Sequence, residues 1–461
     1  MGIQIYNSLT RKKEQLVPIS GNTINMYSCG VTVYDKCHIG HARSLYVFEV
    51  IKNYLKYRGF KVNFIRNITD IDDKIIKKAN DLGKSFGDVV KENIELYRKD
   101  LDSLGISRAD FEPRATENIE EMISYIRSLI EKGYAYESAG DVYFSVRKFE
   151  GYGKLSGQSI EKMLEAVRID HDPKKKDSLD FALWKKSKEG EPFWNSPWGD
   201  GRPGWHIECS VMSMKYLKCD TLDIHAGGRD LIFPHHENEI TQSESLTGKP
   251  FAKYWIHHGL LTINGQKMAK SLGNFITIED AIKIHRPEDL KMFFLLSHYG
   301  SPIDYSAEKI EEAHKALSRF TIFLEGSGES SVANSLKEPV SLGEFKEKFL
   351  VAMDDDFNTP KALGVINELI TEVNKKEKFP SFKEEKAQAQ SFIKEVLTSV
   401  FSLRVAMTKE TIDSAIEEIL NARAQARKDK DFSRSDELRD KLKSMGIIVE
   451  DGKDGQKWRK A

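Results

Sequence analysis

Apolar residues alternate along residues 23–33, with Ile24 and Met26 before a Cys29-Gly30 break and Val31 and Val33 after it. Alternation of period two predicts a strand there. The period then changes. Leu45, Phe48, Ile51 and Leu55 recur at helical spacing, and Gly59 stands where a helix C-terminal cap belongs. Residues 61–68 read as a second strand. Strand, helix and strand in that order predict a parallel βαβ unit, the opening of a doubly wound α/β (Rossmann-like) sheet.

From residue 113 the pattern shifts. Ile119, Met122, Ile123, Ile126, Leu129 and Ile130 form one helical face that closes at Gly133. A hairpin pattern follows, residues 134–137 against 142–145, turning at Ala139-Gly140-Asp141. Residues 151–200 are rich in Gly, Pro, Lys and Trp. The span 113–200 is therefore read as an α+β insertion between sheet halves at 1–112 and 201–305. Strand signals return around Leu222-Asp223-Ile224-His225 and at 255–263. Beyond 306 the pattern is almost wholly helical, with apolar periodicity at 343–353, 361–373 and 388–402, and a loop at 326–335. That gives a helical bundle at 306–409. Residues 410–461 form a small module, helical to Met445, then Ile447-Ile448-Val449 and an Asp451-Gly452 turn.

Composition narrows the class. The chain has 461 residues, 40% apolar and 31% charged, which suits several folded domains. No apolar run approaches the ~18 residues of a membrane span. Four cysteines are too few for a disulfide framework, so free thiols or a metal site are expected. The N-terminus, Met1-Gly2-Ile3-Gln4, lacks a charged segment followed by a small-residue cleavage site, so secretion is not expected and a cytoplasmic location is. Seventy basic residues against 71 acidic ones give a net charge of −1, which excludes a globally basic coat. The tail is different: residues 421–461 hold 12 basic and 8 acidic residues.

Three short motifs carry nucleotide chemistry. His38-Ile39-Gly40-His41 lies between a predicted strand and a helix, where a glycine admits a phosphate and imidazoles can donate to it. Lys267-Met268-Ala269-Lys270-Ser271 follows an Asn264-Gly265 turn, and its two lysines suit a triphosphate. Gly227-Gly228-Arg229-Asp230-Leu231 follows a strand, with Asp230 placed to accept from a ribose hydroxyl. A fourth group suits a metal. His235 and Glu239 are one helical turn apart, and with Cys29 and Cys209 they make a zinc set. Spacing alone leaves His235 and His236 interchangeable.

The first two motifs, in this order, resemble the paired ATP-binding signatures of class I aminoacyl-tRNA synthetases, His-Ile-Gly-His and Lys-Met-Ser-Lys-Ser, with Ala269 in place of the serine. Longer strings are similar to those of the bacterial cysteinyl-tRNA synthetases: Cys29 before Gly30-Val31-Thr32-Val33-Tyr34-Asp35, Asn67-Ile68-Thr69-Asp70-Ile71-Asp72-Asp73-Lys74, Gly204-Trp205-His206-Ile207-Glu208-Cys209 and Phe233-Pro234-His235-His236-Glu237-Asn238-Glu239. The tail Glu450-Asp451-Gly452 and Trp458-Arg459 extends the match, which is weakest over 307–420.

That resemblance implies a cysteine–tRNA ligase that forms cysteinyl-adenylate from L-cysteine and ATP and passes the cysteine to tRNA(Cys). It implies one zinc per chain on Cys29, Cys209, His235 and Glu239, binding the substrate thiolate, with magnesium accompanying ATP. His38, His41, Lys267 and Lys270 are the implied catalytic residues, and Gly40, Asp230 and Ser271 complete the ATP site. Cys29, Gly30, Thr69, Trp205 and His225 are implied around the cysteine substrate. The last module is then an anticodon-binding one, with Arg423, Arg427, Lys428, Lys430, Trp458 and Arg459 as tRNA contacts. The family also implies a monomer with no membrane attachment. A relative that joins cysteine to a small-molecule amine shares the catalytic half but lacks a full tail. A non-catalytic descendant that keeps only zinc and RNA binding is set against by the intact lysines and histidines.

Overall fold

The computed structural model describes residues 2–161, 163, 172–269, 272–326, 341–377, 381–404, 414–452 and 455–460. The chain divides into two compact units, Met1–Val405 and Ala406–Ala461.

At the centre of the first unit lies a four-stranded parallel sheet. Its order is Ala252–His258, Leu222–Gly228, Thr23–Thr32 and Lys61–Thr69. Three of the strands are buried along nearly their whole length and Thr23–Thr32 through its middle, as a parallel sheet covered on both faces requires. The helix Ile39–Tyr57 joins the two strands of the predicted βαβ unit. The Cys29-Gly30 break is a bulge: the register of Thr23–Thr32 against Lys61–Thr69 slips between Ser28 and Val31.

The insertion forms its own layer. The helix Ile119–Glu131 packs on an antiparallel sheet ordered Ala135–Ser138, Asp141–Phe144, Phe181–Lys186 and Gly201–Pro203. Ala139 and Gly140 both take positive φ, the conformation of a two-residue hairpin turn that matches strand twist. The two later strands, Phe-Ala-Leu-Trp-Lys-Lys at 181–186 and Gly-Arg-Pro at 201–203, are not among the expected elements. Their signal is hidden because Gly201–Pro203 is an edge, where proline loses no ladder bond.

Helices Ala307–Glu325, Leu342–Asp354, Thr359–Asn374 and Phe382–Ser399 follow, and residues 327–335 of the expected loop lie outside the described residues. They share one core with the central sheet. Tyr54 Oη donates to Asp354 Oδ1 at 2.5 Å and Tyr46 Oη to the Phe401 carbonyl at 2.5 Å, tying the Ile39–Tyr57 helix to this layer. In the second unit, helices Ser414–Lys428 and Phe432–Ser444 and a hairpin, Ile447–Gly452 with Gly455–Lys460, enclose Leu420, Leu442, Ile447 and Val449.

Two outcomes follow for stability. Phe349 is fully buried and meets Phe392 and Phe401 edge-on, so Phe349→Ala should cost about 3–5 kcal/mol in urea unfolding followed by circular dichroism. A loss below about 1 kcal/mol contradicts that packing. His258 closes the last sheet strand and donates through Nδ1 to the Gly259 carbonyl. Burial, with help from the Arg43 guanidinium, holds its imidazole down at about 4, against an ordinary 6.5. The folded state thus keeps it neutral while the unfolded chain takes a proton. Stability from this group is complete above pH 6.5 and is lost as pH falls towards about 4. Melting temperature against pH should be flatter for His258→Gln over that interval, and parallel profiles would refute the assignment.

Candidate active site

The sheet reverses its direction of growth between Thr23–Thr32 and Leu222–Gly228. From the first the chain passes to Lys61–Thr69 on one side, and from the second to Ala252–His258 on the other. A crevice opens beyond the carboxyl ends of two such strands. At this place the bulge frees the Gly30 N–H from the ladder, and Asn67 Oδ1 takes it at 2.8 Å. No side chain fits at Gly30, because a Cβ would stand 1.6 Å from the Asn67 carbonyl oxygen. The bulge turns Cys29 toward the helices Trp205–Leu217 and Glu237–Thr247.

Those helices deliver the other donors. Cys209 lies in the first turns of Trp205–Leu217, and the turn Ile232–His236 runs straight into Glu237–Thr247. His235 Nε2 and Glu239 Oε1 are 2.8 Å apart, and Cys29 Sγ is 3.8 Å from Cys209 Sγ and 3.4 Å from Glu239 Oε1. Cys209 Sγ is 3.6 Å from His235 Nε2. One donor atom from each of Cys29, Cys209, His235 and Glu239 lies within 4.8 Å of all the others, a set that can hold a metal ion. A second set, Cys29, His225, His236 and Glu239, overlaps it. His236 Nε2 stands 3.2 Å from Cys29 Sγ, so the ambiguity between the two histidines survives as a real adjacency.

Electrostatics favours an anionic cage. Burial would raise the Glu239 carboxyl, but the His225 and His235 rings hold it well below the usual carboxylate range. Burial also opposes ionisation of Cys209, yet hydrogen bonds from Cys29 and His235 bring its thiol down to about 6, while Cys29 is pushed up by burial and by Cys209 itself. Around the cage several other ring atoms are committed, while His225 Nδ1 is buried without a partner. His206 Nδ1 meets His235 Nδ1 at 2.9 Å, and His225 Nε2 meets Glu239 Oε2 at 2.6 Å. His236 Nδ1 meets His257 Nε2 at 2.8 Å, and His257 Nδ1 reaches Ser8 Oγ. Such outer contacts fix ring orientation around a metal.

The His38 and His41 rings lie stacked 3.7 Å apart at the start of their helix. Each Nδ1 accepts the backbone N–H of the other residue at 3.3 Å. A neutral ring used this way carries its proton on Nε2, so the pair offers two N–H donors at a helix N-terminus, an anion site. Burial and the neighbouring His38 hold the His41 ring well below its ordinary value, which keeps it neutral. Lys267 is exposed on the short strand Gln266–Lys267, paired with Leu261–Ile263. Asn274 braces the loop beyond it, accepting from Ala269 N and donating to the Lys267 carbonyl. Lys270 and Ser271 lie outside the described residues.

A single cavity of about 480 Å³ is lined by Cys29, Gly30, His38, Gly40, His41, Trp205, Asp230 and Lys267. Thr69, Cys209, His225, His235 and Glu239 are buried. Trp205 is 37% exposed and stacks on His235 at 4.1 Å, and Thr69 Oγ1 donates to Glu208 Oε2 at 2.8 Å while accepting from Asn67 Nδ2. Sequence reasoning missed the parts played by Asn67, His206, Glu208, His257 and Asn274. The first three sit inside motifs already noticed, and only their partners were out of sight. In the second unit Arg423 is fully buried with Nη1 on Gln456 Oε1 at 2.8 Å. It braces the helix against the hairpin, contrary to the expected phosphate contact. Arg427, Lys428 and Lys430 are exposed, and the side chains of Trp458 and Arg459 are outside the described residues.

Known proteins are similar to this chain. Residues 15–315 match the family model of the class I (C) tRNA synthetase catalytic domain, 348–405 a DALR domain, and 410–459 the cysteinyl-tRNA ligase anticodon binding domain. The chain is 49% identical over 490 residues to the cysteine–tRNA ligase of Thermodesulfovibrio yellowstonii, covering 99% of each. It is 48% identical over 474 residues to that of Halalkalibacterium halodurans, covering 100% of both. Among solved structures, Mycobacterium tuberculosis methionyl-tRNA synthetase in complex with methionyl-adenylate aligns with a TM-score of 0.63 over 84% of this chain and 92% of that one, at 15% identity, a likeness of fold. The chain belongs to the cysteine–tRNA ligase family of class I aminoacyl-tRNA synthetases.

Proposed function

We propose that this chain activates L-cysteine with ATP and transfers it to the 3′-terminal ribose of tRNA(Cys), selecting cysteine with a zinc ion on Cys29, Cys209, His235 and Glu239. The observation that carries the reading is the convergence of those four donor atoms within 4.8 Å, with Cys29 also lining the cavity that holds His38, His41, Asp230 and Lys267. Two thiols with one imidazole and one carboxylate suit a borderline-soft ion in tetrahedral coordination. The overlapping set offers one thiol, which favours the set with both cysteines for a thiophilic ion. When bound, zinc supplies a thiophilic Lewis acid that holds a thiolate and not an alcohol. A plain pocket discriminates near-isosteres poorly, and this chemistry supplies the missing selectivity.

The protein's own groups do the rest. Trp205, Thr69 and His225 surround the amino acid, and Asp230 accepts from the adenosine ribose. The cysteine carboxylate oxygen bonds to the α-phosphorus of ATP as the bond to pyrophosphate breaks. His38 and His41 donate Nε2–H to the phosphates, and Lys267 with Lys270 and Ser271 offsets the charge that gathers there. Magnesium enters with ATP, held chiefly by its phosphates. A terminal ribose hydroxyl then attacks the carbonyl carbon, and AMP leaves. Arg427, Lys428 and Lys430 offer exposed cations for the anticodon arm. A cytoplasmic monomer is the form in which we place this activity; among the described residues no helix is long and apolar enough to cross a membrane.

Two measurements test the reading. With ATP, magnesium and bulk tRNA, labelled cysteine should become acid-precipitable and labelled serine should not; a zinc-loaded, folded preparation that yields no label overturns it. Cys209→Ser should weaken zinc binding by more than the ~10–100-fold that losing an outer hydrogen bond costs, and should blunt the preference for cysteine over serine. Unchanged zinc content and selectivity remove Cys209 from the site.

A further inference from the structure

Arg43 lies one turn into the helix that begins at His38, and it is 1% exposed. Its guanidinium meets no carboxylate among the described residues. Instead Nη1 donates to the carbonyls of Gly259 at 2.7 Å and Leu260 at 2.9 Å, and Nη2 to those of Tyr299 at 3.0 Å and Ser301 at 2.5 Å. Buried charges are normally paired with an opposite charge, so a cation held by four backbone carbonyls, with its Nε–H left without a partner, is an unusual commitment. Burial, with Arg229 nearby, lowers its pKa to about 10, which still leaves it protonated at neutral pH.

The four carbonyls belong to two chain segments. Residues 259–260 leave the central sheet for the hairpin Leu261–Ile263 and Gln266–Lys267, and residues 299–301 enter the strand Ile303–Tyr305 that pairs with it. The segments are pressed together: Gly259 N donates to the Tyr299 carbonyl at 2.9 Å, and Ile303 N to the Leu260 carbonyl at 3.0 Å. A Cβ on Gly259 would stand 2.2 Å from the Ser301 carbonyl oxygen. The far end of the loop is tied to the same helix start, through Ile39 N on the Ile276 carbonyl at 3.1 Å and Ile278 N on the Cys37 carbonyl at 2.9 Å. The segment carrying Lys267 is therefore anchored at both ends to the elements that present His38 and His41.

We propose that Arg43 is a positioning residue: its fork clamps the base of the Lys267 hairpin to the His38 helix and so sets where the Lys267 ammonium meets a phosphate resting on His38 and His41. The proposal rests on the ATP-dependent reading above. A planar fork can grip two segments at once, whereas a lysine offers one compact charge and cannot span them. Misplacing a reacting or charge-neutralising group by about 1 Å can cost on the order of 100-fold.

The test is cysteine-dependent ATP–pyrophosphate exchange with the full-length, zinc-loaded protein. Exchange by the unaltered protein checks the reading itself, so its failure is seen separately from failure of the clamp. R43K should lower kcat/KM for ATP by roughly 10–100-fold, with KM for cysteine and zinc content within about twofold. In a K267A background R43K should cost at most about threefold more, because the group it positions is gone. G259A disturbs the same joint without touching Arg43 and should give the same signature, which keeps the test open if R43K does not fold. The proposal is overturned if R43K or G259A leaves kcat/KM for ATP within about threefold, or if their losses multiply with that of K267A.

Discussion

Burying a lone carboxylate as deeply as Glu239 would cost several kcal/mol, and the carboxyl would take up a proton. It stays ionised because imidazoles approach both oxygens: His235 reaches Oε1 and His225 reaches Oε2. That single requirement organises much of the catalytic half. His225 is delivered by the strand Leu222–Gly228, while His235 comes from the turn Ile232–His236 and Glu239 from the helix that turn runs into. Cys29 arrives from the neighbouring strand, which must bulge to present it, and the bulge demands a glycine at 30 and an acceptor at Asn67. Fold and donor set specify each other.

The switch in strand order explains why Cys29 and the nucleotide motifs share one cavity. Cys29 stands near the end of Thr23–Thr32, and the loop beyond that strand leads into His38, Gly40 and His41. Asp230 follows Leu222–Gly228, and Lys267 follows Ala252–His258. Each of these functional groups therefore issues from the carboxyl end of a strand, where the topology opens the crevice. On the proposed reading, selection of the amino acid and activation of its carboxylate meet at this cavity of about 480 Å³.

What the sequence revealed was governed by local rules. Period-two and period-3.6 patterns gave the βαβ unit, the insertion's first hairpin and the helices of the later region, and glycine at 30 marked the bulge. The i, i+4 pair His235 and Glu239 was legible because a helical turn is itself a local spacing. Partnerships across the fold were not. The carbonyls that Arg43 grips stand 216 to 258 residues away, and Asn67 joins a network in which Thr69 and Glu208 are 139 residues apart. Arg423 misled for the complementary reason: a run of charges reads as a solvated face, while its true partner, Gln456, sits on a hairpin further along.

The central claim is that a metal held by two thiols, an imidazole and a carboxylate takes the sulfur of the substrate. Zinc K-edge X-ray absorption on the zinc-loaded protein tests it most directly. The account predicts two sulfur neighbours in the free protein, a third when cysteine is added, and no change with serine. A sulfur count that stays the same when cysteine saturates the site, or a free protein with only nitrogen and oxygen neighbours, would contradict it.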